Sequence, residues 1–446
     1  MVNGEWRDAM KRRLMLLLAT SVLALSGCSN NVSPVENKPY ATIMIYMCGA
    51  DLESATDGYS SKPVGLATAD LKEILSVKNQ PDDVNIIVQT GGASKWSSSL
   101  GISARELGRY HVENQKLVKD DALVKASMGK TTTFQSFLEW GLTEYPAEHV
   151  GVILWNHGGA LDGVCFDENY SNDSLTDNEV ALALKNAFEA VGRTEKLDWI
   201  GYDACLMSVQ DIAEMNSKYF NYMVASEEAE VGEGWAYNRW IDDLYEHKST
   251  EEVLTEICDG FIDSVDDLAD YYAKFGYEYE NNQNLAVIDL NKMETYKNSI
   301  ESLASKIKVV VSSNKTSFRT TMRNVKSYAD MELSSSDYQL YMYYGYPSSW
   351  FTNVGNETYV LHGYFSYGTF DALDMLNKME SSDLLSSYVS DIQAAKEALV
   401  DCIYYNKKGS AAGESNGLCA VVPMDNRFVY SAGYTNFINW RGLFAK

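Results

Sequence analysis

The sequence predicts an α/β protein, a three-layer sandwich whose mainly parallel central sheet lies between two layers of helices and carries a C-terminal elaboration. Three observations carry this expectation. Short, continuous apolar runs such as residues 42–47 and 150–155 read as strands buried on both faces. Segments with helical spacing of apolar residues stand between those runs. Finally, 46% of the 446 residues are hydrophobic and 22% charged, which is ample for a large core and too apolar for a disordered chain.

The chain opens with Arg7, Lys11, Arg12 and Arg13, followed by an apolar run over residues 14–25 and then Ser26-Gly27-Cys28. That run is shorter than the ~20 apolar residues needed to span a bilayer. The pattern resembles a bacterial lipoprotein signal, which implies that residues 1–27 are removed and that Cys28 is lipidated. Residues 28–38 are polar and contain a proline, as suits a tether. The expected location is the cell envelope, on the outer side of a bacterial membrane, with the lipid as anchor.

Beyond the tether, strands are expected at 42–47, 84–89, 150–155, 197–202 and 222–226. Helical patterns fall at 66–77, 134–144 and 180–191, the last two preceded by Thr132 with Gln135 and Thr176 with Glu179, the spacing of a capping box. A further helix is expected near 208–217, directly after the 197–202 strand. Residues 39–250 form the expected catalytic core. Residues 251–446 add a helix near 251–272, a strand at 285–290, a helix to about 308 and a strand at 417–423 ended by Pro423. The tyrosine-rich stretch 338–346 has no clear assignment, and no linker divides the chain into independent domains.

Seven cysteines, Cys28 among them, are too few for a disulfide scaffold in a chain of this length, and no CxxC pair suggests zinc. The formal charge of −25 argues against nucleic acid as a partner and is compatible with basic substrates. A monomer is expected.

The chemistry lies in two motifs at strand ends. Trp155-Asn156-His157-Gly158-Gly159 follows the strand at 150–155, and Asp203-Ala204-Cys205-Leu206-Met207 follows the strand at 197–202. Ligands of an open parallel sheet gather beyond the carboxyl ends of its strands, so neighbouring strands bring His157 and Cys205 to one edge. A thiol becomes a good nucleophile as thiolate, which an imidazole or a helix N-terminus favours, and the imidazole can then protonate a leaving amine. The backbone N–H groups of Gly158 and Cys205 are the natural donors to a developing oxyanion. Taken alone, each residue reads as a buried thiol or a turn histidine; their order and spacing match the caspase type.

Asn156-His157-Gly158-Gly159 followed by Asp203-Ala204-Cys205 resembles the clostripain family of clan CD cysteine peptidases. Tyr46-Met47-Cys48-Gly49-Ala50-Asp51-Leu52-Glu53 is similar to that family's first strand and acidic loop. Asp167, Ser174-Leu175-Thr176 and Glu179 resemble the segment after the histidine. Ser226-Glu227-Glu228 with Gly232-Glu233-Gly234-Trp235 resembles the loop beyond the cysteine, and residues 417–423 with Trp440 resemble the closing strand and tail.

The resemblance implies a caspase-like sandwich, a Cys–His dyad without an essential third member, and cleavage of polypeptides after Arg or Lys. A basic P1 side chain needs an acid at the base of its pocket. Asp203 holds the matching position, with an N-cap on the following helix as its alternative. Glu233 is the expected second acid; Glu227, Glu228 and Glu230 compete for that role and otherwise read as solvated loop charges. No cofactor is expected. Calcium dependence occurs in the family, but Asp263, Asp266, Asp267 and Asp270 have the helical spacing of a solvated face. Self-processing between His and Cys is common there, yet residues 158–178 contain no Lys or Arg. The alternatives are a noncatalytic surface-binding lipoprotein that retains the fold, and a clan relative with different chemistry.

Overall fold

Eight residues without an exposed side chain, Ala41–Cys48, form strand β1 in the middle of a nine-stranded sheet. This computed structural model describes residues 38–56, 63–276, 279–322 and 369–421, with short stretches between 325 and 362. Cys28 and the segment around it, most of the stretch 338–346, Pro423 and Trp440 lie outside the described residues.

After β1 come β2 (Val84–Gly91), β3 (Glu106–Glu113), β4 (Lys116–Val124) and β5 (His149–Trp155), then the small β6 (Val164–Asp167) and β7 (Asp173–Leu175). The strands β8 (Leu197–Asp203), β9 (Phe220–Ala225) and β10 (Asn284–Asp289) follow. Later strands are β11 (Asp330–Ser334), β12 (Phe351–Gly355), β13 (Thr358–His362), β14 (Thr369–Asp371), β15 (Ile403–Lys408) and β16 (Cys419–Val421). The main sheet has the order β15-β10-β9-β8-β5-β1-β2-β3-β4. Its centre, from β9 to β2, is parallel throughout, and the strands outside it on both sides run antiparallel to their neighbours.

Side chains alternate across this sheet, and each face has its own core. Met44, Tyr46 and Cys48 enter one core, while Ile43, Ile45 and Met47 enter the other. Described helices in chain order are α1 (Ala50–Ser54), α2 (Leu66–Ser76), α3 (Thr131–Glu144), α4 (Asp177–Val191), α5 (Gln210–Asn216), α6 (Tyr237–Tyr245), α7 (Thr250–Ala273), α8 (Met293–Ser313), α9 (Lys315–Met322), α10 (Ala372–Glu380) and α11 (Val389–Cys402). The first face is covered by α3, α4, α5 and α8 to α11, the second by α2, α6 and α7. Phe134 and Phe137 of α3 pack on Tyr46 at ring-centroid distances of 5.1 and 5.3 Å. Each such buried ring stabilises the fold by roughly 2–3 kcal/mol. Among the described residues no helix is long and apolar enough to cross a membrane.

The three-layer sandwich matches the sequence-based expectation, with differences of detail. The hairpin β3–β4 was not foreseen. The capping box of Thr176 and Glu179 is present, but α3 starts after Lys130 without a side-chain cap. The helix expected from 208 begins only at Gln210, and β16 pairs with β14 in a separate two-stranded sheet.

The strand order decides where the site falls. From β1 the chain moves outward to β2, then returns to β1's other side as β5 and continues outward as β8 and β9. The direction reverses between β1 and β5. A crevice opens beyond the carboxyl ends of strands at such a switch point.

Candidate active site

His157 stands two residues past the end of β5, and Cys205 two residues past the end of β8. These strands pair parallel with Trp155 opposite Asp203, so equal overshoots bring both residues to the same edge. Both line one cavity of about 230 Å³, together with Leu52, Asp203 and Glu230. Gly158 shows how closely the two loops approach: a Cβ there would lie 2.2 Å from the Cys205 carbonyl oxygen. Glycine is therefore required by contact between the loops as well as by access for a substrate.

The histidine loop is fastened from both sides. The Asn156 amide donates to Cys48 O at 2.7 Å, and its carbonyl accepts from Phe166 N at 2.8 Å. His157 Nε2 lies 2.9 Å from Asp51 Oδ1, a contact absent from the sequence-based expectation. Among the described residues no backbone carbonyl accepts from the N–H of Gly158 or of Cys205.

Cys205 is half-buried, and its Sγ–H points to Glu230 O at 3.8 Å. Burial first, and then the Glu230 charge, push its thiol up to about 12, while hydrogen bonding with the backbone of Glu230 and of Cys205 acts in the opposite direction. The helix after Cys205 begins too late to help, because α5 starts five residues downstream. At neutral pH only roughly one thiol in 10⁵ would then be ionised without a proton acceptor at hand.

Asp203 is 4% exposed and accepts from the Tyr237 hydroxyl at 2.9 Å and from Trp235 N at 3.3 Å. It is not an N-cap, since the residue at that position of α5 is Val209. Burial pushes its carboxyl up to about 7, against the opposing pull of Tyr237 and Trp235. The chain passes close by at Gly234, where φ is +64° and a Cβ would meet Asp203 Oδ1 at 2.9 Å.

Glu230, not Glu233, is the second acid of the cavity. Glu233 is exposed and does not line it. Both Glu230 carboxyl oxygens are buried near Asp203 and the Trp235 indole, yet make no well-formed hydrogen bond. Burial, and then Asp203, raise this carboxyl well above its ordinary range. A third acid, Asp70, is buried behind Trp155, whose indole Nε1 donates to it at 2.7 Å. Burial and Asp203 raise it too. Among the described residues no lysine or arginine lines the cavity.

The reading of the other loop acids as solvated charges is corrected for Glu227, which has no exposed surface. It accepts from Gly417 N at 2.7 Å and from Asn284 Nδ2 at 3.1 Å, while Glu228 lies 3.8 Å from Lys326 Nζ. Asp263, Asp266, Asp267 and Asp270 are exposed on α7. Among the described residues no three acidic, histidine or cysteine side chains converge on a metal-sized site.

Solved structures share this architecture. A secreted C11 cysteine protease from Bacteroides thetaiotaomicron, in complex with an irreversible peptide inhibitor, superposes with a TM-score of 0.54 at 14% identity, over 91% of this chain and 99% of that one. An inactive zymogen C11 protease from Parabacteroides distasonis gives 0.50 at 17% identity, over 87% and 92%. The fold is that of the caspase-like α/β cysteine peptidases. Clostripain from Hathewaya histolytica is 21% identical over an alignment covering 96% of this chain and 87% of that one. The family model for peptidase C11, the clostripain family, matches residues 45–416, and the chain belongs to that family.

Proposed function

We propose that this chain is an extracytoplasmic, lipid-anchored endopeptidase that cleaves polypeptides after Arg or Lys, with Cys205 as nucleophile and His157 as proton acceptor. The observation that carries the specificity is the buried carboxyl pair Asp203 and Glu230, without a lysine or arginine beside it among the described residues, in the cavity lined by His157 and Cys205. Buried acids without a counter-charge destabilise a fold, and a guanidinium or ammonium group entering the cavity relieves that cost.

In the proposed reaction Cys205 Sγ bonds to the carbonyl carbon of the basic residue while its proton passes to His157. With the thiol held at about 12, attack and proton transfer are coupled. The carbonyl oxygen takes negative charge and is held by the N–H groups of Gly158 and Cys205. The C–N bond then breaks, the proton on His157 goes to the leaving amine, and water hydrolyses the thioester. Anchoring through Cys28 and export rest on the signal-like N-terminus, and the secreted relative from Bacteroides thetaiotaomicron is in keeping with export.

The test is a set of fluorogenic peptides with Arg, Lys, Asp or Asn at P1, assayed with residues 29–446 and with Cys205→Ala. Turnover after Arg or Lys that vanishes in Cys205→Ala supports the reading. Turnover only after Asp or Asn overturns the pocket assignment. A folded protein that cleaves none of them is instead a binding lipoprotein.

A further inference from the structure

Three residues past the end of β1, Asp51 directs its carboxylate at the His157 imidazole, Oδ1 to Nε2, at 2.9 Å. The proton relay described above makes no use of this group. Its setting is nevertheless built. Ala50, immediately before it, takes φ +43°, a left-handed backbone that costs a non-glycine residue ~1 kcal/mol and turns the chain sharply from β1 into α1. Two residues after Asp51, the fully buried Glu53 accepts from Thr68 N at 2.9 Å, Thr68 Oγ1 at 2.8 Å and Ser97 N at 2.7 Å. Glu53 thereby fastens α1 to α2 and to the loop at Ser97, while Leu52 lines the cavity. An acid in the first turn commonly serves the helix dipole, but α1 has only five residues and so little dipole to offset.

The topology gives the same answer. Asp51 follows β1, His157 follows β5 and Cys205 follows β8, three neighbouring strands that line up across the switch point. We propose that Asp51 is the positioning residue of His157. By accepting from Nε2–H it selects the tautomer whose Nδ1 is free to take the Cys205 proton, and its charge stabilises the imidazolium that results. The proton leaves Sγ for Nδ1 and later passes from Nδ1 to the amine nitrogen, so nothing is transferred to Asp51. The imidazole in turn holds the Asp51 carboxyl below its ordinary value. Other ionisable groups nearby are Cys48 at the end of β1, Asp203 and Cys205 at and after the end of β8, Glu230 on the loop after β9, and Glu168 on the turn after β6, whose carboxylate accepts from Ser94 N. The Asp51 side chain is 61% exposed, so solvent and salt screen its charge and its contribution is moderate.

This inference rests on His157 and Cys205 being the reacting pair, and its test separates the two. Full pH profiles of kcat and KM are measured for wild type, Asp51→Asn, Asp51→Ala and Asp51→Glu, with Cys205→Ala as the control for the pair itself. Asp51→Ala is expected to lower kcat on the order of tenfold with KM nearly unchanged, and Asp51→Asn to lower it less, because the amide oxygen still accepts from Nε2–H. In both, the limb of the kcat profile nearest neutrality moves to lower pH, and the movement shrinks in high salt. Asp51→Glu restores part of kcat and returns the limb toward its wild-type position. If wild type hydrolyses peptide and Cys205→Ala does not, while Asp51→Ala keeps wild-type kcat and an unmoved limb, Asp51 has no such role. A kcat loss with an unmoved limb and a matching loss of thermal stability would also overturn it, reducing Asp51 to a structural acid. Inactive wild type would instead remove the premise.

Discussion

Replacing Asp203 with asparagine is expected to stabilise the protein in neutral solution while destroying its preference for basic side chains. The carboxyl is almost fully buried, accepts from Trp235 N–H and the Tyr237 hydroxyl, and is pushed from 3.8 up to about 7. In the unfolded chain it loses its proton near 3.8. Between about pH 4 and 7 the folded protein therefore holds a proton that the unfolded chain has released, and stability falls as pH rises through that window. Above about 7 the full cost is present, on the order of 4 kcal/mol for a carboxyl held at about 7 instead of 3.8. Asparagine has the same shape and no proton to lose, and the Tyr237 hydroxyl can rotate to accept from its amide. With about 2.1 cal/mol/K of unfolding entropy per residue over roughly 400 residues, the gain amounts to about 5 °C in Tm. Thermal melts of both proteins from about pH 4 to about pH 8 measure it, other titrating groups largely cancelling in the difference. The Tm difference should be near zero at the acid end and grow to its full value above neutrality. A difference that does not change with pH, or a variant less stable than wild type at the alkaline end, would show that burial does not hold a proton on Asp203.

The same pocket makes further predictions. Because a basic P1 side chain needs the ionised acids, KM for an arginine substrate should rise as pH falls below about 7, by up to tenfold per unit, while KM for a neutral P1 should not. Glu230→Gln removes an acid that, once ionised, opposes the Cys205 thiolate. Iodoacetamide should therefore alkylate Cys205 faster at fixed alkaline pH, even as the preference for arginine over neutral P1 falls on the order of tenfold or more; unchanged alkylation would remove Glu230 from the thiol's surroundings. On the far side of the loop, Glu227→Ala leaves Gly417 N–H and the Asn284 amide without their acceptor and should cost about 2 kcal/mol in chemical denaturation. Glu227→Gln keeps an acceptor oxygen and should cost much less; equal losses would show that the contact contributes little.

Where the sequence was readable, one physical rule made it so. β1, β2, β5, β8 and β10 are buried on both faces, so each must be a nearly unbroken apolar run, and each was expected close to its observed limits. The antiparallel hairpin was not legible, because an outer strand needs no such run. β4 has Lys116, Lys119, Asp120 and Asp121 along its length, and β3 carries Arg109, whose guanidinium is buried only because Gln89 and Ser136 receive it. β15 is likewise polar, and its place beside β10 depends on partners over a hundred residues away.

The site divides along the same line. His157 and Cys205 follow directly from strands, so the sheet brings them to one edge once those strands are recognised. The acids of the loop after β9 do not, because residues 226–234 have no periodicity to say which side chain turns inward. Glu230 faces Asp203, Glu227 is held by Gly417 across the fold, and Glu233 stays in solvent, a choice made by the path of the chain through Gly234. Asp51 was present in a motif quoted for its resemblance, but an exposed acid opening a short helix has no feature in sequence that tells it from a dipole partner.

The measurement that bears most directly on the central claim is labelling with a peptide electrophile that carries lysine at P1, followed by peptide mapping. The account predicts a single adduct on Cys205, formed slowly in Asp203→Asn and absent in Cys205→Ala, with Cys48, Cys165, Cys258, Cys402 and Cys419 unmodified because all five are buried. Modification of one of those five in the folded protein, or equally fast labelling of Cys205 by a reagent with aspartate at P1, would contradict it.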